Sequence, residues 1–207
     1  KTKSFLVVVL LSIVYCLLFT AYSFSQGAWT PKANFSGTSR WGATGFSIGS
    51  KGYIGTGMGC KDFWEWDQTG NFWTQKADFG GGNRAGAVGF SIGAKGYIGT
   101  GLSGFFGTWY NDFWEWDQAG NLWTRKSDFG GTPRVDAVGF SIGAKGYIGT
   151  GGGTSKDFWE YNPTTDVWTK KADFGGMARH IAVGFSIGAK GYIGTGMDAS
   201  NTYYKDF

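Results

Sequence analysis

Cysteine occurs twice, proline three times and histidine once in this 207-residue chain. One cysteine, Cys16, lies inside an apolar N-terminal run, which leaves Cys60 as the only thiol beyond it. Neither a disulfide framework nor a cysteine-based zinc site can form within such a chain. With so little proline, and with glycine lacking a three-residue period, a collagen-like fibre is excluded. No run of basic residues interrupts the sequence, so it carries no nucleic-acid footprint. Phosphate-binding glycine loops are missing as well, because the glycines sit in hairpins and never lead into a helix.

Glycine and aromatics are abundant instead: 38 Gly beside 11 Trp, 10 Tyr and 18 Phe. Dense glycine often signals disorder, but disordered chains are poor in aromatics. The combination predicts a globular all-β protein with many tight turns and an aromatic core, in one or two domains. Lys and Arg total 19 against 15 Asp and Glu, a net charge of +4 that singles out no partner.

Residues 1–25 place Lys1 and Lys3 before an apolar run from Phe5 to Phe19, followed by Ala21, Ser23 and Ser25. That order is the anatomy of a secretory signal peptide, so the expected location is extracellular or periplasmic, with no membrane contact after cleavage. The alternative is an uncleaved anchor, since 5–21 is at the lower length limit of a transmembrane helix.

Self-similarity dominates the remainder. GFSIGSKGYIGTG at 45–57 returns almost unchanged at 89–101, 139–151 and 184–196. DFWEWDQTGNFWT at 62–74 returns at 112–124 and 157–169, and a fourth copy begins with Asp206-Phe207. A third block, KADFGG and its variants, leads to Arg84, Arg134 and Arg179, with a degenerate copy ending in Arg40. Each unit reads as four short strands. In the second unit these are Ala87–Ile92, Gly96–Gly101, Asp112–Trp116 and Leu122–Lys126. Large Val88, Phe90 and Ile92 alternate with small Ala87, Gly89 and Ser91, so the bulky face of one sheet can seat on the small-residue face of its neighbour. Radial stacking of such sheets gives a β-propeller.

These blocks resemble the kelch family, the propellers of galactose-oxidase type. The resemblance rests on the Arg approach, on the glycine pair after strand two (Gly55 and Gly57 and their equivalents, split here as GTG), and on the Trp66/Trp73, Trp116/Trp123 and Tyr161/Trp168 pairs. It covers 26–207, in approximate units 26–73, 74–123, 124–168 and an incomplete 169–207. Kelch propellers usually close with more blades than four, so the resemblance implies the N-terminal part of a longer protein. It further implies that the Ala28-Trp29-Thr30 block is an outer strand completing a last blade.

Residues that recur in every unit are explained most simply by the fold. The repeated acids (Asp62, Asp112, Asp157, Asp206; Glu65, Glu115, Glu160; Asp67, Asp117; Asp78, Asp128, Asp173) read as turn and strand-end hydrogen-bond partners. Function is expected where copies differ. The loop after strand two is long and aromatic in the second unit (102–111) and the fourth (197–205), bringing Phe105, Phe106, Trp109, Tyr110, Tyr203 and Tyr204. Residues after each Arg also vary, giving Trp41, Asp136 and His180. Strand order puts both regions on one rim, with Arg40, Arg84, Arg134 and Arg179. In kelch domains such arginines often face the ligand; the alternative is that they bond between blades to backbone carbonyls or to the nearby Asp. The expectation is a secreted scaffold that binds protein, peptide or glycan partners without a cofactor. The alternatives are a carbohydrate-active propeller of sialate-epimerase or sugar-oxidase type completed by further blades, and a purely structural surface protein. A copper-radical oxidase needs a Tyr–Cys pair and His ligands, of which the chain supplies one His and one Cys beyond the leader.

Overall fold

A computed structural model describes residues 27–104 and 107–207. Residues 1–25, read above as a signal peptide, and Phe105 and Phe106 lie outside the described residues. Residues 27–32 belong to a separate unit and are irregular, with Trp29 solvent-exposed. Ala28–Thr30, read above as an outer strand of a further blade, is irregular here. A strand exists only through a ladder partner, and none pairs with this block among the described residues.

Residues 33–207 form one unit built entirely of antiparallel β-structure, with no helix among the described residues. The first blade contains β1 (Thr44–Ile48), β2 (Lys51–Gly55), β3 (Phe63–Asp67) and β4 (Phe72–Lys76). The second contains β5 (Val88–Ile92), β6 (Lys95–Gly99), β7 (Phe113–Asp117) and β8 (Leu122–Lys126). The third contains β9 (Val138–Ile142), β10 (Lys145–Gly149), β11 (Phe158–Asn162) and β12 (Val167–Lys171). A fourth blade shows its two inner strands, β13 (Val183–Ile187) and β14 (Lys190–Gly194). Within each complete blade the strands pair in sequence order. Inner strands β1, β5, β9 and β13 pack side by side around an axis, and β1 does not reach β13. The molecule is a partial β-propeller.

Turn chemistry sets the register. Ile92 pairs with Lys95, leaving the two-residue turn Gly93-Ala94, and Gly93 takes φ +57° as a type II′ turn requires at its first position. The outer hairpin closes on Asp67, whose carboxylate accepts the Thr69 and Gly70 amides at 2.8 and 3.2 Å. Asn71 ends that turn in the left-handed region.

Blades pack by the expected bulky-on-small rule. A Cβ at Gly139 would collide with Val88, and one at Gly184 with Val138; Gly96, Gly146 and Gly191 similarly receive Phe46, Phe90 and Phe140. Each blade also stacks a ring trio, Phe46–Tyr53–Phe63 in the first, with Tyr53 and Phe63 at 5.4 Å and 11°. The next blade drives two rings edge-on into it: Trp116 and Trp123 meet Phe63 at 5.0 and 4.9 Å. Tyr161 and Trp168 repeat this on Phe113 at 4.9 and 5.0 Å. Full burial of one such ring stabilises the stack by roughly 4–6 kcal/mol before ordering costs. Backbone bonds add a seam: Gly57, Gly101 and Gly151 amides donate to the carbonyls of Arg84, Arg134 and Arg179 at 2.7, 2.8 and 2.7 Å.

Candidate functional site

The four arginines enter each blade just before its inner strand and turn inward. Arg134 donates to Asp157 through both Nη atoms at 2.6 and 3.0 Å and to the Thr150 carbonyl at 2.8 Å. Its guanidinium lies over the Phe129 ring, 4.8 Å from the centroid. Arg40–Asp62, Arg84–Asp112 and Arg179–Asp206 repeat the arrangement, over Phe35, Phe79 and Phe174. The side-chain bonds thus run within a blade, from the approach segment to the start of the third strand. The arginine backbone, by contrast, links one blade to the next through its carbonyl, and at Arg134 also through its amide, which donates to the Tyr110 carbonyl at 3.2 Å. Arg84, Arg134 and Arg179 are buried, so the rim surface is made by their neighbours.

The hydrogen bond from Arg40 holds the Asp62 carboxyl below the usual carboxylate range, and Arg179 does the same for Asp206. At Asp157 burial pushes upward, but bonds from Arg134 and Trp159 prevail and the value falls. The recurrent Glu residues serve the fold too, accepting the Tyr53, Tyr97 and Tyr147 hydroxyls at 2.6, 2.8 and 2.9 Å.

Where units differ, the residues gather on one face. The loop after β6 folds back so that Leu102 bridges both Ala85 and Trp109; the loop after β14 does likewise, with Met197 bridging His180 and Tyr203. The loops after the second strands therefore lie beside the residues that follow each Arg. Tyr110 stacks over Arg84 at 4.3 Å and Tyr204 over Arg179 at 4.6 Å, and the Tyr204 hydroxyl donates to Asp198 at 2.8 Å. These two rings pack on the propeller itself. Trp41 (55 %), Trp109 (44 %) and Tyr203 (79 %) remain exposed.

At the axis, Gly86 donates to the Gly42 carbonyl at 2.9 Å, Asp136 to Gly86 at 2.9 Å, and Ile181 to Asp136 at 3.1 Å. All four positions are left-handed, with φ between +54° and +65°. This staircase curves along a depression of about 320 Å³ lined by Ala43, Ala87, Ala137, Ala182 and Val183. Asp136 is the one charged residue lining it. Burial holds its carboxyl above the ordinary value, against the opposing pull of His180. His180 sits over Gly153, and its Nδ1 is buried with no hydrogen-bond partner among the described residues. Sequence reasoning selected Asp136 and His180 but missed the staircase. Its only trace was a position two after each Arg occupied by Gly, Gly, Asp and Ile. Among the described residues no group of three His, Cys, Asp or Glu side chains could hold a metal ion.

No family model matches the chain, and no curated protein matches it. Solved structures do. One, described as "Structure of YjhT", superposes with a TM-score of 0.71 at 18 % identity over 80 % of this chain. The match covers 59 % of that structure's own length, and at this identity the likeness concerns the fold alone.

Proposed function

We propose that the chain is a kelch-type propeller acting as a secreted binding module, with its recognition surface on the face that surrounds the axial depression. One observation carries this reading: the residues that break the repeat, Trp41, Trp109, Asp136, His180 and Tyr203, converge there, while the repeated arginines and glutamates bond within the blades. Rigid scaffolds with variable loops at one end commonly bind in that way. Half-exposed tryptophans offer anchors for a protein or peptide partner. The flat faces of Trp41 and Trp109 also suit stacking on a glycan, which is the second reading.

The test compares the wild-type protein with Trp41→Ala/Trp109→Ala and Asp136→Asn variants on arrays of glycans and extracellular proteins. Binding lost in the variants, with no loss of thermal stability, supports the reading. A partner that binds wild type and all variants equally would place recognition elsewhere. Turnover of a sugar by the wild-type protein would favour the carbohydrate-active alternative.

A further inference from the structure

The third unit breaks the repeat at two linked positions. Asp136 stands where the other units carry Gly42, Gly86 and Ile181, and Gly152 where they carry Met58, Leu102 and Met197. The backbone joins the two: the Gly152 amide donates to the Val135 carbonyl at 2.9 Å, as the Met58, Leu102 and Met197 amides donate to the residue after the arginine in their own units. Because Gly152 has no side chain, the Trp109 ring of the preceding blade lies directly on its backbone, and a Cβ there would come within 3.0 Å of Cζ3. Trp109, 44 % exposed, is thereby seated over the backbone that bonds to the residue before Asp136.

Asp136 lies inside the blade array. Its amide is bonded to Gly86 of the second blade, and its carbonyl accepts from Ile181 of the fourth. Among the described residues no hydrogen bond or ion pair reaches its carboxylate, on which His180 acts through charge alone. The arginines that could answer an acidic ligand are turned inward onto Asp62, Asp112, Asp157 and Asp206. The fold has no use for the carboxylate either, since Gly86 and Ile181 make the same staircase bonds without one. Burial sets its ionised form against folding. A charge kept at a cost in stability, facing a cavity, marks a functional position.

Building on the binding-module reading, we propose that Asp136 and Trp109 form a receptor for a guanidinium group, an arginine side chain of the protein or peptide partner that this face takes up. A planar, weakly hydrated guanidinium suits the pair better than an ammonium does. Its fork can donate two parallel bonds to the carboxylate, and its flat face can lie on the indole. Ala87 and Ala137, which line the depression beside Asp136, would border the aliphatic stem.

Titrating the full chain with short glycine–serine peptides, followed by NMR through the tryptophan indole signals, tests this. The peptides differ at one residue, which is arginine or its uncharged analogue citrulline. The arginine peptide is expected to saturate at about a tenfold lower concentration, the margin of charge-assisted over neutral hydrogen bonds. Asp136→Asn should erase that margin without loss of thermal stability, and so should Asp136→Gly, which restores the residue of the first two units. Trp109→Ala should weaken binding of the arginine peptide. Equal affinity for the two peptides in wild type, or an arginine preference that persists in both Asp136 variants, would overturn the proposal. The recognition face answers to a different result. Array partners lost in Trp41→Ala/Trp109→Ala uphold that face even where the arginine preference is absent and the receptor is overturned. An arginine preference that depends on Asp136 upholds the receptor even where no array partner depends on the tryptophans.

Discussion

Replacing Arg134 by Ala tests whether the buried arginine clamps hold each blade in its fold. Arg134 is 1 % exposed and its partner Asp157 23 %. The substitution removes both bonds to Asp157, the bond to the Thr150 carbonyl and the stack on Phe129, and leaves Asp157 with the Trp159 indole as its remaining side-chain donor at 2.7 Å. Deleting one member of a buried pair costs about 3–5 kcal/mol, because the other charge is stranded. Water reaches part of Asp157, so the lower end applies, about 3 kcal/mol. With a urea slope of about 2 kcal/mol per molar, the unfolding midpoint should fall by about 1.5 M. Arg125→Ala removes an exposed pair with Asp128 and should leave the midpoint unchanged. A double variant, Arg134→Met/Asp157→Leu, removes the stranded charge and should recover most of the loss. The folded Asp157 carboxyl lies below its unfolded value, so the clamp's contribution is present above about pH 4 and is lost as pH falls through the folded value. The difference between wild type and Arg134→Ala should therefore shrink in acid. If Arg134→Ala shifts the midpoint no more than Arg125→Ala does, the clamps are ornaments on a fold held by its aromatic rings.

Burial raises the Asp136 carboxyl, so its ionised form opposes folding; Asp136→Asn should raise the urea midpoint at pH 7, with the gain vanishing towards pH 3. No gain at pH 7 would mean that the carboxylate is well solvated. Burial, with help from Glu160, pushes the Tyr147 phenol up to about 12. Its contribution is complete below the ordinary tyrosine value near 10 and is lost as pH rises through the folded value, so ultraviolet titration should find a late-ionising phenol whose loss accompanies unfolding. Gly146→Ala should cost about 1–3 kcal/mol by forcing Phe90 aside, whereas Gly52→Ala should cost far less, read as thermal midpoints on the two variants. Equal losses would refute the bulky-on-small account of blade packing.

The repeat made most of the architecture legible before any coordinate. Alternation of Val88, Phe90 and Ile92 with glycine and serine fixes which side of β5 is bulky, the Gly93-Ala94 turn fixes its partner β6, and the Gln118–Asn121 turn pairs β7 with β8. Strand limits shifted only at their ends, as where Gly96–Gly101 became Lys95–Gly99, because Thr100 and Gly101 take positive φ and leave the sheet. Block order also told correctly that the loops after the second strands lie beside the residues following each Arg. Other features depended on three-dimensional proximity. Arg40 and Asp62 are 22 residues apart, and Arg84 and Asp112 are 28 apart. Spacing alone cannot say whether such a pair closes within a blade or between blades, and the answer removes the arginines from the rim. Tyr110 and Trp109 are neighbours in one loop, yet one stacks on Arg84 and the other stays half-exposed, because successive residues in an extended segment point to opposite sides. Asp136 is a single variable position in the sequence. Only the assembled inner strands, bringing four left-handed turns around one axis, desolvate its carboxyl and give it a cavity to face.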